Sequence, residues 1–271
     1  MRVWIDGRPA AMLPVTDRGL AYGDGLFETI AVRQGRIALL ERHLRRLGEG
    51  TERLGMPLDM ERVRSELLAF AAELRHGVAK LIVTRGDGLR GYAPPQDARC
   101  RRILSGNPAP AYPARHRLDG IHLYPCATRL AEQPRLAGLK HLNRLEQVLA
   151  RAEWQDPRYA EGLMRDLRGH PIEGVFSNLF VVRDGELLTP ALTRCGVAGV
   201  MRAEILDRAA AAGIATRVCD LEFAELTAAD EVFLCNSQYG IWPVVTFETH
   251  VWPVGELTRK LQLLLADVVD A

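Results

Sequence analysis

Lysine is rare in this chain: Lys80, Lys140 and Lys260 stand among 35 Lys and Arg residues. Lys140 lies in GLKHLNRLEQVLAR, positions 138–151, just ahead of a row at helical spacing formed by Leu142, Leu145, Val148, Leu149 and Ala152. Asn143 and Glu146, three residues apart, predict an N-cap pair for that helix. A lysine is ordinarily a solvated side chain. One that works as a nucleophile or base must be a neutral amine, its pKa drawn down from ~10.4 by desolvation or a nearby cation. Leu139, Leu142 and Arg144 supply both ingredients. A second candidate is Arg90, in TRGDGLRGYAPP, whose guanidinium can grip a carboxylate through two parallel bonds.

These residues need a scaffold. The chain has 271 residues, 48% hydrophobic and 25% charged, with a formal charge of +1. That is the composition of a globular protein, without the footprint of a nucleic-acid or membrane-surface binder. A small molecule or another protein is the expected partner. The N-terminal stretch is broken by Arg2, Asp6 and Arg8 and lacks a signal-peptide core, and no apolar run reaches a membrane span. Five cysteines, none at metal-knuckle or redox spacing, read as reduced thiols of a cytoplasmic protein with no metal.

The pattern of elements is α+β. Residues 22–32 and the run after the Gln34-Gly35 turn read as strands, followed by a helix with Leu40, Leu44, Leu47 and Leu54 on one side and a second helix over 63–74. AKLIVTRG and RRILSG read as paired strands around a glycine-rich loop. Pro108, Pro110 and Pro113 predict a linker over 109–117. The two domains are then 1–108 and a β-rich 118–271 that carries Lys140. The second holds strands at EGLMRD, a hairpin turning at Asp184 and Gly185, a helix ended by Gly213, the strand DEVFLCNS and a closing helix. A small-molecule site is expected in the cleft between domains.

Five segments in order resemble the fold-type IV pyridoxal-phosphate enzymes, the family of branched-chain and D-amino acid aminotransferases and 4-amino-4-deoxychorismate lyases. They are YGDGLFETIAV at 22–32, ERHLRRL at 41–47, GLKHLNRLEQVLAR at 138–151, IEGVFSNLF at 172–180 and GVMRAEIL at 199–206. KHLNRLEQ is similar to the lyases in particular. The resemblance implies the two-domain architecture of D-amino acid aminotransferases. It also implies that Lys140 holds pyridoxal 5'-phosphate as a Schiff base and moves a proton at the carbon bearing the substrate nitrogen. Glu173 matches the carboxylate that pairs with the pyridine nitrogen, and Arg46 the arginine on the phosphate. Arg45 is expected to be dispensable. Val200 and Met201 match the helix start whose N–H groups hold the phosphate, which the helix dipole favours, and Ser237 a residue that closes the phosphate cup in the transaminases.

On the substrate side, Arg90 and Tyr92 resemble the lyase loop, with no histidine there to make the Arg-x-His pair of D-amino acid aminotransferases. Asn236 is a second lyase-like feature, and Thr29 sits where a lyase threonine protonates the leaving group. His141 is expected to pack beside the lysine without moving a proton. The resemblance therefore implies a lyase making 4-aminobenzoate and pyruvate, a homodimer with a functional link to aminodeoxychorismate synthase. The alternative is a D-amino acid or branched-chain aminotransferase.

Overall fold

The computed structural model describes residues 2–10, 12–88 and 90–269. The chain divides into two compact units, one of Met1–Pro110 with Leu139–Asn143, the other of Ala111–Gly138 with Arg144–Ala271.

The first unit is built on a six-stranded antiparallel sheet. Its order is Arg8–Pro9, Arg2–Ile5, Arg101–Asn107, Gly77–Thr84, Gly25–Arg33 and Arg36–Ile37. The strand Gly25–Arg33 pairs with Gly77–Thr84 along its length, Gly25 opposite Thr84 and Val32 opposite Gly77. Gln34 and Gly35 both adopt positive φ, 51° and 79°, as a tight two-residue hairpin requires. The helices Leu40–Arg53 and Met60–Leu74 bury Leu44, Leu47, Val63, Leu67 and Phe70. Phe70 meets Trp4 edge-on at 5.3 Å between ring centroids.

A nine-stranded sheet forms the second unit. From Thr216–Cys219 it runs through Glu186–Pro190, Asn178–Arg183, Glu231–Asn236, Gly240–Phe247, Ile121–Leu130 and Tyr159–Asp166 to Pro171–Gly174. The ninth strand, His250–Val251, pairs with Gly240–Phe247. Glu173 lies opposite Met164 on one side and Asn178 on the other, so the sheet closes on itself at Pro171–Gly174. Its core includes Leu123, Leu163, Leu179, Leu234, Val244 and Phe247. Asp184 and Gly185 form the expected hairpin turn, with φ of 51° and 77°. Among the described residues no helix is long and apolar enough to cross a membrane.

The lysine segment departs from expectation in two ways. The sequence places it in the C-terminal domain, yet Leu139–Asn143 groups with the first unit. The backbone explains this: Phe27 N–H donates to the Lys140 carbonyl at 2.9 Å, and Leu142 N–H to that of Gly25 at 3.0 Å. The segment is thereby laid along the start of Gly25–Arg33.

The following helix, Leu145–Ala152, is also differently made. Its N-cap position is Arg144, with no side-chain cap. Asn143 instead donates to the Gly23 carbonyl at 3.2 Å, and Glu146 accepts from Ala131 N–H at 2.8 Å. The apolar row is exposed at Leu145, Val148 and Leu149, while Ala150 is the buried helical residue.

Gly25 is where the segment and the sheet come closest. A Cβ there would run into the Val83 carbonyl oxygen and a methyl of Leu142. Gly25→Ala is therefore expected to cost roughly 1–3 kcal/mol through overpacking. Urea unfolding with unchanged midpoint and slope would rule out the close approach.

Candidate active site

The first unit gathers several expected groups around one strand. Alternation along Gly25–Arg33 puts Phe27 and Thr29 on one face and Glu28 on the other. Thr29 lies directly opposite Lys80 in the register, so both share the Phe27 face. The Lys140 amine stands 4.4 Å from the Phe27 ring centroid, and the Lys80 amine 5.4 Å from it. Two of the three lysines thus converge on one phenyl ring, where the quadrupole attracts cations. In sequence Lys80 reads as an ordinary surface lysine, because only pairing with Thr29, 51 positions earlier, brings it here.

On the other face, Glu28 is fully buried and holds Arg46 from the helix Leu40–Arg53. Arg46 Nε donates at 2.8 Å to Oε1, and a terminal nitrogen to Oε2. His43 Nδ1 lies 2.6 Å from Oε2, while its buried Nε2 has no hydrogen-bond partner. Burial alone would raise the Glu28 pKa, but Arg46 and His43 more than offset it and hold the group at about 2. Desolvation lowers the His43 pKa, and the charges of Arg46 and Lys140 act in the same direction. The two-point pairing fixes the plane of the Arg46 guanidinium. His141 forms an isolated bridge with Leu26.

Arg90 and Tyr92 stand on an exposed loop of this unit, Tyr92 at 86% exposure. The Tyr92 ring packs 5.4 Å from that of Tyr22.

The second unit carries the remaining candidates. Glu173 is only 4% exposed, and its Oε2 accepts from Val197 N–H at 2.8 Å. Asn178 donates to the Val197 carbonyl at 2.8 Å, so the strand beside Glu173 also holds the loop that caps it. The helix Val200–Ala211 begins at Gly199 without a side-chain cap, and Val200 and Met201 are buried in its first turn. Gly199 leaves room that a Cβ would lose to the Asn178 side-chain oxygen. Ser237 is half-buried. Asn236 holds the main chain around it together. Its amide donates to the Phe176 carbonyl at 3.3 Å, and its oxygen accepts from Gln238 and Tyr239 N–H.

Glu161, which the sequence shows only as part of a strand, is a further element of this region. It is fully buried and accepts four bonds: from the N–H groups of Gly162, Val175 and Phe176, and from Ser177 Oγ at 2.7 Å. Burial pushes its pKa up to about 7 against the pull of those donors. The carboxylate pins the turn that follows Glu173. A glutamate in an alternating strand gives no sequence signal of such a role.

The donor types fit pyridoxal 5'-phosphate: a primary amine and an oriented arginine in the first unit, a buried carboxylate and an uncapped helix N-terminus in the second. Residues 25–247 match the family described as Amino-transferase class IV. The chain belongs to that family, and its fold is the α+β fold of the type IV enzymes. Among solved structures it is similar to the 4-amino-4-deoxychorismate lyase of Pseudomonas aeruginosa, at 67% identity and a TM-score of 0.98, covering 99% of this chain and 100% of the other. The aminodeoxychorismate lyase of Vibrio harveyi is 36% identical over 264 residues, 96% of this chain and 97% of the relative. A D-alanine aminotransferase of Listeria monocytogenes is 27% identical over 97% of this chain and 93% of its own length.

The Glu28 arrangement predicts an acid-dependent contribution to stability. Its folded pKa of about 2 lies below the ordinary 4.5, so the stabilisation is fully present above about pH 4.5 and is lost as pH falls towards 2, by about 3 kcal/mol. Unfolding free energies measured across that range for the protein and Glu28→Gln should converge at the acid end. A constant difference would mean that Glu28 carries no such charge.

Proposed function

We propose that this chain is an aminodeoxychorismate lyase, converting 4-amino-4-deoxychorismate to 4-aminobenzoate and pyruvate with pyridoxal 5'-phosphate. The observation that carries this is the 67% identity to the Pseudomonas aeruginosa lyase across essentially the whole of both chains. The cofactor, when bound, supplies the electron sink for the pair left when the carbon beside the substrate nitrogen loses its proton.

The chain's own residues do the rest. Lys140 Nζ would hold the cofactor covalently until the substrate amine displaces it, and the freed amine then takes the proton from the amine-bearing ring carbon. With that proton gone and the neighbouring enolpyruvyl oxygen expelled, the ring becomes aromatic. Positioned proton transfer of this kind is worth ~10²–10⁴-fold. Thr29, on the Phe27 face with Lys140, passes a proton towards the departing enolpyruvate methylene, which completes pyruvate. Glu173 keeps a proton on the pyridine nitrogen. Arg46, the N–H groups of Val200 and Met201, and the Ser237 hydroxyl bind phosphate. Arg90 and Lys80 are cations for the two carboxylates of the substrate, with Tyr92 and Asn236 shaping its pocket.

The reading extends to a cytoplasmic homodimer functionally linked to the synthase that supplies the substrate. Five free cysteines and the exposed row of Leu145, Val148 and Leu149 support the first two parts.

The test is a coupled assay with chorismate, glutamine, an aminodeoxychorismate synthase and the cofactor. Equal, enzyme-dependent formation of 4-aminobenzoate and pyruvate is expected, and Lys140→Ala should abolish it while leaving the far-ultraviolet circular dichroism unchanged. Keto-acid formation from an amino acid, without 4-aminobenzoate, would replace the lyase by an aminotransferase. Full lyase activity in Lys140→Ala would overturn the mechanism.

A further inference from the structure

Arg18 is an arginine at 4% exposure that spends most of its guanidinium on main-chain oxygens. Nε donates to Asp24 Oδ2 at 2.8 Å. One terminal nitrogen donates to the Tyr92 carbonyl at 2.9 Å, the other to those of Gly91 at 3.1 Å and Ala93 at 3.3 Å. Three successive carbonyls of an exposed loop are therefore tied from beneath by one side chain.

The surroundings are built for that clasp. Asp17, fully buried, caps the helix Arg18–Tyr22 by accepting from Gly19 and Leu20 N–H, and it is anchored in turn by Thr84 Oγ1 at 2.8 Å and by Arg101. Gly23 ends the same helix in the left-handed region, so the Arg18 backbone is fixed at both ends. A Cβ at Gly88 would press on the Arg18 side-chain stem. The Arg18 guanidinium lies 4.9 Å from the centroid of the Tyr22 ring, and Tyr22 Oη accepts from Gly91 N–H at 3.3 Å. Asp24, its carboxylate partner, is shared with Arg85, which donates to the same oxygen. Burying a guanidinium beside a shared carboxylate is costly. A planar fork that satisfies three carbonyls at once is what that cost secures, and lysine has no such fork.

We infer that Arg18 is a positioning residue for the substrate-binding loop: by fixing the main chain at 91–93 it sets the direction from which Arg90 meets a substrate carboxylate. The inference rests on the reading of Arg90 given above. It makes Arg18 a determinant of substrate affinity rather than of chemistry.

The test is a double-mutant cycle on the holoenzyme with Arg18→Lys, Arg90→Ala and the pair. Arg90→Ala should raise KM for aminodeoxychorismate by about tenfold or more. Arg18→Lys should raise it about fivefold, with kcat and the visible cofactor spectrum unchanged, and should speed tryptic cleavage after Arg90. The pair should be no worse than Arg90→Ala alone, because both act through one contact. An unchanged KM in Arg18→Lys, or multiplied effects in the pair, would overturn the inference while leaving the Arg90 reading intact. An unchanged KM in Arg90→Ala would remove that reading and the inference together. Should Arg18→Lys not fold, Tyr22→Phe loosens the same loop through Gly91 and should raise KM about twofold; no rise would again count against it.

Discussion

Two backbone hydrogen bonds, from Phe27 N–H to the Lys140 carbonyl and from Leu142 N–H to the Gly25 carbonyl, fix where the Lys140 amine stands. They take a lysine flanked in sequence by the second unit and lay it along a strand of the first. A strand sends alternate side chains to opposite faces, so one short segment serves two purposes. Phe27 and Thr29 share a face with the Lys140 and Lys80 amines, while Glu28 between them turns the other way to clamp Arg46. Slipping the strand by one residue would exchange the two sets.

The second unit solves a comparable problem with buried acids. Glu173 and Glu161 are both removed from water; Glu173 accepts from Val197 N–H, and Glu161 from three backbone N–H groups and Ser177 Oγ. Such backbone donors are already fixed by the fold and cost little further ordering. Glu161 shapes the turn on one side of Glu173, and Asn178 steadies the Val197 loop on the other.

What the sequence made legible were features with local causes. The Gln34-Gly35 and Asp184-Gly185 turns follow from two-residue chemistry, and the helices 40–53 and 200–211 from spacing and glycine placement. Motif order identified the family, and with it Lys140, Glu173 and Arg46 as candidates. Features made by pairing distant residues stayed hidden. Lys80 joins the Phe27 face through a strand register, Arg18 reaches a loop more than 70 positions away, and Glu161 meets a turn 14 positions on. The Asn143–Glu146 pair shows the reverse failure: a sound local signal is overridden because Gly23 and Ala131 offer each side chain a better partner.

The closure of the nine-stranded sheet has a dynamic consequence. Pro171–Gly174 has hydrogen-bonded neighbours on both sides, whereas Thr216–Cys219 pairs on one side and leaves the other open. Fraying begins where a strand has one neighbour, so thermal breathing of this unit starts at that outer edge, outside the closed ring of strands that contains Glu173. The carboxylate occupies the seam that closes the sheet, and moving it means opening that seam. Its placement is held by the closed ring of strands together with the hydrogen bond from Val197 N–H.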